Sequence, residues 1–185
     1  MLEMPTNLVA HHVKVLEDAG IIVRSRSEGD RRRTYLRLVS ESLAGLVPTP
    51  PRAAPRVVFV CTRNSARSQL AAALWPQRSR IPVASAGTRP ASRVHPRAAR
   101  TARRHGLALD GRTFHAAEVI ERGDLVIAVC DNAYEHMVSD IPSLHWSVPD
   151  PAPIDTDAAF EAAFTDIASR IDRLASALIP GAEDD

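Results

Sequence analysis

The run Val57-Val58-Phe59-Val60-Cys61-Thr62-Arg63-Asn64-Ser65-Ala66-Arg67-Ser68 changes character at its cysteine. The four apolar residues before Cys61 have the pattern of a buried strand. The alanine-rich stretch from Ser65 to Trp75 has the pattern of a helix, so a short loop joins a strand end to a helix start. Such a loop makes an oxyanion cradle. Backbone N–H groups from Thr62 through Arg63, Asn64, Ser65 and Ala66 to Ser68 can curl around one tetrahedral anion. The helix N-terminus adds partial positive charge. Arg67 can fork onto two oxygens of the same anion. Cys61 would lie under it, where that field favours thiolate; a free thiol titrates near ~8.5, and helix N-termini or cations lower this. A lone cysteine at a strand end is more often a small buried residue. The strand before it and the helix after it are the context that nucleophilic chemistry needs.

Outward from this run the pattern alternates strand and helix. Strands are expected at Val57–Val60, Ile81–Ala84, Leu125–Val129 and, weakly, Leu144–Trp146. Helices are expected at Ser65–Trp75, His95–His105 with Gly106 as the stop, Asn132–Val138 and Asp155–Leu178. In the last of these, Phe160, Phe164, Ile167, Ile171, Leu174 and Leu178 share one face. Alternating βα units predict an α/β fold, a parallel sheet covered on both faces. Ligands of such sheets bind at the carboxyl ends of strands, where strand order reverses. Cys61 stands at such an end.

Three parts are expected: residues 1–47, a Pro-rich linker at 48–55, and the α/β domain at 56–185. Pro48, Pro50, Pro51 and Pro55 argue against a helix or central strand in the linker. The 185 residues suit one ordinary domain and an appendage. A net charge of +1 dictates neither a nucleic-acid nor a membrane partner. Two cysteines, Cys61 and Cys130, are too few for a disulfide framework and suggest a reducing compartment, hence a cytoplasmic location. No signal peptide or long apolar run is visible. His11-His12 lacks a second ligand pair, so no metal site is expected.

Cys61-Thr62-Arg63-Asn64-Ser65-Ala66-Arg67-Ser68 resembles the phosphate loop of the low-molecular-weight protein tyrosine phosphatases and of the arsenate reductases that share their fold. Ser85-Ala86-Gly87-Thr88, Asp124 to Cys130, and Trp146-Ser147-Val148-Pro149-Asp150-Pro151 match in the same order, so the resemblance spans about residues 56–178. It implies a four-stranded parallel sheet with helices on both faces. It further implies that Asn64 shapes the loop, Ser68 hydrogen-bonds the thiolate, and Asp150 is the general acid. By local context alone, Asp150 between two prolines is turn chemistry. Arg63 departs from the family, which usually has a small residue there. The phosphatases usually carry aromatic residues after Asp-Pro; here Ala152 and Pro153 follow, which looks more like the arsenate reductase branch.

That branch resolves its arsenylated cysteine with a second thiol, and Cys130 matches its position. Thioredoxin-coupled members carry a third cysteine where this chain has Met137. The resemblance leaves two routes open: a Cys61–Cys130 disulfide, or resolution by a small thiol. No bound cofactor is expected, and the external reductant would be mycothiol, glutathione or a thioredoxin system. Cys130 alone also reads as a small core residue.

The amino-terminal part pairs a helix with a hairpin. Asn7 to Gly20 is amphipathic, with Val9, Val13 and Leu16 on one face and Asn7, Ala10, His11 and Lys14 on the other. Ile22–Arg26 turns at Glu28-Gly29-Asp30 and returns through Arg33–Val39. Over residues 5–39 this resembles the recognition helix and wing of ArsR-type winged-helix repressors, without the preceding helices. It implies promoter DNA as a partner, read through Asn7, His11, Lys14, Arg31, Arg32 and Arg33, in a homodimer. So short a piece can hardly bury its own core.

Three functions follow: thiol-dependent arsenate reduction in arsenic resistance; phosphatase action on aryl phosphates; and transcriptional regulation with an oxyanion-sensing domain. The substrate is arsenate or a phosphate ester in the first two. No membrane partner is expected.

Overall fold

The computed structural model describes residues 6–39, 52–137 and 143–180. It divides into two units, Met1–Thr49 and Pro50–Asp185, with the boundary inside the Pro-rich stretch. Residues 48–51 of the expected linker, and Val138 at the expected end of the helix after Cys130, lie outside the described residues.

In the first unit, helix α1 (Thr6–Asp18) ends before Gly20, whose φ of 68° is the left-handed conformation that glycine adopts at low cost. Strands β1 (Ile22–Arg26) and β2 (Thr34–Leu38) pair antiparallel, Ile22 opposite Leu38 and Arg26 opposite Thr34. The turn is organised by Ser27, whose Oγ accepts the Gly29 and Asp30 N–H groups at 2.9 and 3.0 Å. Among the described residues of this unit only Ile22 and Ser27 are buried. Val9 and Leu16 of the expected apolar face are 41% and 39% exposed. The described residues form one helix and one hairpin and nothing more of a winged helix.

The second unit is built on a parallel sheet of β4 (Val57–Cys61), β5 (Val83–Gly87), β6 (Leu125–Ala128) and β7 (Ser143–His145), ordered β5-β4-β6-β7. All three pairings are parallel, with Phe59 opposite Ser85 on one side and Ile127 on the other. The remaining helices are α2 (Arg67–Leu74), α3 (Pro96–Arg104), α4 (Ala116–Val119), α5 (Asp131–His136) and α6 (Asp157–Ser176). Strand alternation sends Val57 and Phe59 into a core with Leu70, Leu74, Phe160, Ile167 and Ile171 of α2 and α6. Val58 and Val60 point the other way, against Ala116 of α4 and Ala133 of α5. Every residue of β4 is buried, as a strand covered on both faces must be.

Several sequence expectations change; besides shifts of one or two residues at the other element ends, four bear on the fold. The helix after Cys61 starts at Arg67 rather than Ser65, so Ser65 and Ala66 belong to the loop. Strand β5 is Val83–Gly87 rather than Ile81–Ala84, because its partner β4 pairs onward to Cys61 opposite Gly87. The linker expected to run to Pro55 stops earlier. Pro51 and Pro55 bracket a proline-free triplet, and Arg52–Ala54 forms strand β3, parallel to β8 (Leu178–Pro180). The long helix stops at Ser176, and Leu178 opens β8.

Sheet order places the loop after β4 at the switch point: β5 lies on one side of β4 and β6 on the other. Among the described residues no helix is long and apolar enough to cross a membrane.

Candidate active site

Cys61 ends β4 and is 3% exposed. Its Sγ accepts the Asn64 N–H at 3.2 Å and lies 3.1 Å from Ser68 Oγ. The direction of the second contact follows from Asn64. Its Nδ2 donates to Ser68 Oγ at 2.9 Å, which leaves the single hydroxyl proton of Ser68 for the sulfur. A thiolate at Cys61 is therefore met by an N–H and an O–H.

Asn64 fixes the loop. It is fully buried with φ 46°, left-handed backbone that asparagine tolerates better than most residues. Besides Ser68, its Nδ2 donates to Ser85 Oγ at 3.0 Å. Its Oδ1 accepts the Phe114 N–H at 2.9 Å and Gln69 Nε2 at 3.3 Å. The side chain thus uses all its donors and acceptors. Gly87 closes the loop from β5. A Cβ there would stand 2.9 Å from both the Asn64 nitrogen and the Thr62 oxygen, so only glycine fits this approach. The matching segment Ser85-Ala86-Gly87 thereby has a physical role: a hydroxyl for Asn64 and a bare backbone for the loop.

Helix α2 begins at Arg67 with Ala66 as N-cap, and no side chain caps it. The first-turn amides of a helix have no intrahelical partner and point out of its end, here toward the loop. Arg67 is buried, and its guanidinium donates to the Val148 carbonyl at 2.7 Å and reaches Asp150 Oδ2 at 3.1 Å. The proposed anion clamp and the proposed acid are therefore neighbours, held by the segment after β7. Asp150 is 35% exposed at its side chain, and its Oδ1 accepts the Ala152 N–H at 3.2 Å, the turn geometry that its prolines favour. Thr62 and Ser65 are half-buried, Ala66 and Ser68 buried, and Arg63 exposed on the rim.

Cys130 follows β6, beside the end of β4, and is fully buried in one apolar cluster with Cys61. Its Sγ lies 3.5 Å from Thr62 Oγ1. Burial pushes this thiol above its ordinary value, opposed by the Arg67 charge and reinforced by Cys61. The next residue, Asp131, is buried and accepts His145 Nε2 at 2.8 Å, while Tyr134 stacks on the His145 ring at 4.3 Å. Burial lowers the His145 pKa against the pull of Asp131.

The structure gathers Cys61, Thr62, Asn64, Ser65, Ala66, Arg67, Ser68 and Asp150 around one loop, with Cys130 beneath. Asn7, His11, Lys14, Arg31, Arg32 and Arg33 lie exposed on the other unit. There Lys14 pairs with Asp18 at 3.1 Å, and Asp30 takes Arg32 at 3.0 Å and Arg33 at 3.6 Å. Sequence reasoning missed Gln69, the Phe114 amide and the Val148 carbonyl. The last two act through backbone, which leaves no side-chain signature. Among the described residues no three His, Cys, Asp or Glu side chains gather as a metal site.

Solved structures share this fold. An arsenate reductase from Archaeoglobus fulgidus is 28% identical, with a TM-score of 0.59 over 65% of this chain and 98% of that one. The thioredoxin-dependent arsenate reductase of Corynebacterium glutamicum is 27% identical, with a TM-score of 0.51 over 71% and 63%. The YwlE arginine phosphatase from Geobacillus stearothermophilus is 26% identical, with a TM-score of 0.58 over 65% and 90%. No curated protein sequence matches the chain. The sequence model described as Low molecular weight phosphotyrosine protein phosphatase matches residues 56–181, more than half of the chain. With a buried cysteine under an anion loop, an arginine at the helix start and a carboxylate beside it, this chain belongs to that family and is a thiol-dependent phosphatase or arsenate reductase.

Proposed function

We propose that the enzyme reduces arsenate to arsenite. The observation that carries this reading is the second thiol: Cys130 and Cys61 share one buried cluster at neighbouring strand ends. In the first step the Cys61 thiolate attacks arsenic in line. An S–As bond forms, and the opposite As–O bond breaks as Asp150 hands its proton to the departing oxygen, which leaves as water. Arg67 and the loop amides hold the remaining oxygens. In the second step the Cys130 thiolate attacks Cys61 Sγ. An S–S bond forms, the S–As electron pair stays with arsenic, and As(V) leaves as As(III). An external thiol system then reduces the disulfide. If Cys130 is bypassed, a small thiol such as mycothiol or glutathione attacks arsenic opposite Cys61, whose thiolate leaves; a second thiol then takes the arsenic-bound sulfur as a disulfide, the S–As electron pair stays with arsenic, and As(V) leaves as As(III).

Phosphatase action is the second reading, supported by the likeness to an arginine phosphatase. There water attacks the cysteinyl-phosphate. Against an aryl substrate, Ala152 and Pro153 supply no ring wall beside Asp150. Incubation with arsenate and, in turn, thioredoxin, glutaredoxin and mycoredoxin systems, beside aryl-phosphate hydrolysis, separates the two. Cys61→Ser is expected to abolish both activities, because an alcohol at this place is not ionised near neutral pH. Arsenite release by the serine variant would end both readings.

For the first unit we propose descent from an ArsR-type DNA-binding element, on the strength of its helix-then-hairpin order and its arginines. Residual binding should be weak and strongly salt-dependent, carried by Arg24, Arg26 and Arg31 to Arg33 on phosphate. Asp30 beside Arg32 and Arg33, and Glu17 at 2.8 Å from Arg24, reduce that charge further. Anisotropy titration with promoter DNA tests this; tight, sequence-selective binding would favour a regulator over an enzyme.

A further inference from the structure

We infer that Arg63 and Arg93 hold a second anionic group on the molecule that reacts at Cys61, a specificity that rests on the oxyanion chemistry proposed above. A cavity of about 440 Å³ opens beside the phosphate loop, lined by Arg63, Ser65, Ser92, Arg93, His95 and Ala152 among others. Arg63 and Ser65 belong to the loop itself, and Ala152 lies two residues after Asp150. The cavity therefore adjoins the path by which an in-line group leaves or reaches the Cys61 adduct. Its far wall is fastened to the loop. The Ala91 N–H donates to the Arg63 carbonyl at 2.9 Å, and the His95 N–H to the Ser65 carbonyl at 2.8 Å. Arg93 stands between these two ties.

Asp155 reaches the lining His95 at 3.7 Å and is itself taken by Arg97, while Arg63 and Arg93 have no acidic partner in the lining. No Asp or Glu lines the cavity. Among the described residues neither Arg63 nor Arg93 forms a side-chain hydrogen bond or ion pair. Nearby arginines are spent: Arg97 is bound by Asp155 and Asp157, and Arg104 by Asp157 and Glu161. Pro96, the first residue of the nine-residue α3, also lines the cavity, so a helix N-terminus adds to the positive potential. An exposed loop arginine is ordinarily just solvated. Two at one cavity, without an acid and next to an anion site, make a local field that selects charge. The lining holds no Phe, Tyr or Trp, so ring stacking cannot be the discriminator.

The second anion, a carboxylate or phosphate, has two sources with the same chemistry. It is carried either by the leaving group of a phosphate ester or by the thiol that collects the adduct. Both use the side of the oxyanion opposite Cys61 Sγ: the ester's leaving group departs there, and the thiol attacks arsenic there, forming its own S–As bond as the Cys61 thiolate leaves. The test compares matched pairs with the full chain. Phenyl phosphate against 3-carboxyphenyl phosphate probes the ester, and mercaptoethanol against mercaptosuccinate, as reductant of arsenate, probes the thiol. Hydrogen bonds to charged groups of this kind predict a preference of about 10-fold in kcat/KM for the anionic member of at least one pair, after correction for intrinsic reactivity. Arg93→Glu should remove or invert that preference, Arg63→Ala should reduce it, and added salt should erode it in the wild type. The pair that shows the preference identifies the source.

Calorimetric titration with phenylphosphonate and 3-carboxyphenylphosphonate reads the same discrimination without turnover. Equal ratios within about 2-fold in wild type and Arg93→Glu, in both pairs and in the titration, would overturn the inference while leaving the enzyme reading intact, since 2-fold is well under the tenfold of one charged hydrogen bond. Absence of any Cys61-dependent turnover would remove the enzyme reading, and the phosphonate titration would still decide the role of the two arginines.

Discussion

Replacing Asn64 tests whether the loop is held in shape before an anion arrives. Asn64→Ala removes hydrogen bonds to Ser68, Ser85, Phe114 and Gln69. At about 1 kcal/mol net for each, and about 1 kcal/mol for alanine in left-handed backbone, the sum is about 5 kcal/mol. This is an upper bound, because the bonds share two atoms and relaxation recovers part of it. Asn64→Gly loses the same bonds but keeps the backbone, so it should be more stable than the alanine variant by about 1 kcal/mol. Both should lose turnover by about 10²-fold, the scale for misplacing a transition-state donor, since Ser68 and the Asn64 amide are no longer aimed at Cys61. Thermal unfolding gives the stability order. Steady-state kinetics and phosphate-induced stabilisation give the site's integrity. Wild-type turnover in Asn64→Ala, or alanine as stable as glycine, would refute the reasoning.

Arg67→Lys keeps one charge but loses the planar fork that spans the Val148 carbonyl and Asp150, and a fall in rate of about 10²-fold is expected by kinetics with either oxyanion substrate. Asp150→Asn should slow esters with poor leaving groups far more than those with good ones, and an equal loss across a leaving-group series would reduce Asp150 to a turn residue. Asp157 is pulled down to about 2, first by Arg97, then by Arg100 and Arg104. Its folded pKa lies below the unfolded value of about 3.9, so its stabilisation is present above that value and lost as pH falls through about 2. Acid unfolding of Asp157→Asn should show a shallower loss in that window, and salt should shrink the difference because the group is exposed.

The sheet and the loop after β4 were legible because their signals are local. Val57–Val60 is apolar throughout, and a strand covered on both faces requires that. Cys61 ends that strand, and Arg67 and Ser68 open the helix that follows, all in one contiguous stretch. What sequence missed comes from pairing at a distance. The Arg52–Ala54 strand exists because Leu178–Pro180 lies beside it, and neither triplet has a strand pattern of its own. The shift of β5 by two residues has the same cause: register with β4, rather than local propensity, decides where the strand begins. Asn64 was legible only through resemblance, since its partners Ser85 and Phe114 lie 21 and 50 residues away. In the first unit the amphipathic pattern of α1 was correct as a helix signal, but nothing in the described residues of that unit buries Val9 or Leu16. Periodicity reports a face, not whether a partner covers it.

The two cysteines show the same divide in their chemistry. Both end apolar strands, and on sequence both fit a small buried residue. The structure separates them by what surrounds the sulfur. Cys61 meets the Asn64 amide and the Ser68 hydroxyl, both hydrogen-bond donors to a thiolate. Cys130 meets apolar side chains and the Thr62 hydroxyl, and burial disfavours its ionised form. A negative charge on Cys61 disfavours it further, so two thiolates in this cluster oppose one another. In the proposed arsenate reaction this imposes an order. Cys61 is the thiol prepared to attack first. Cys130 acts second, once the sulfur-centred charge on Cys61 that opposes it has passed into the bond to arsenic. The asymmetry thus assigns attack to one sulfur and resolution to the other.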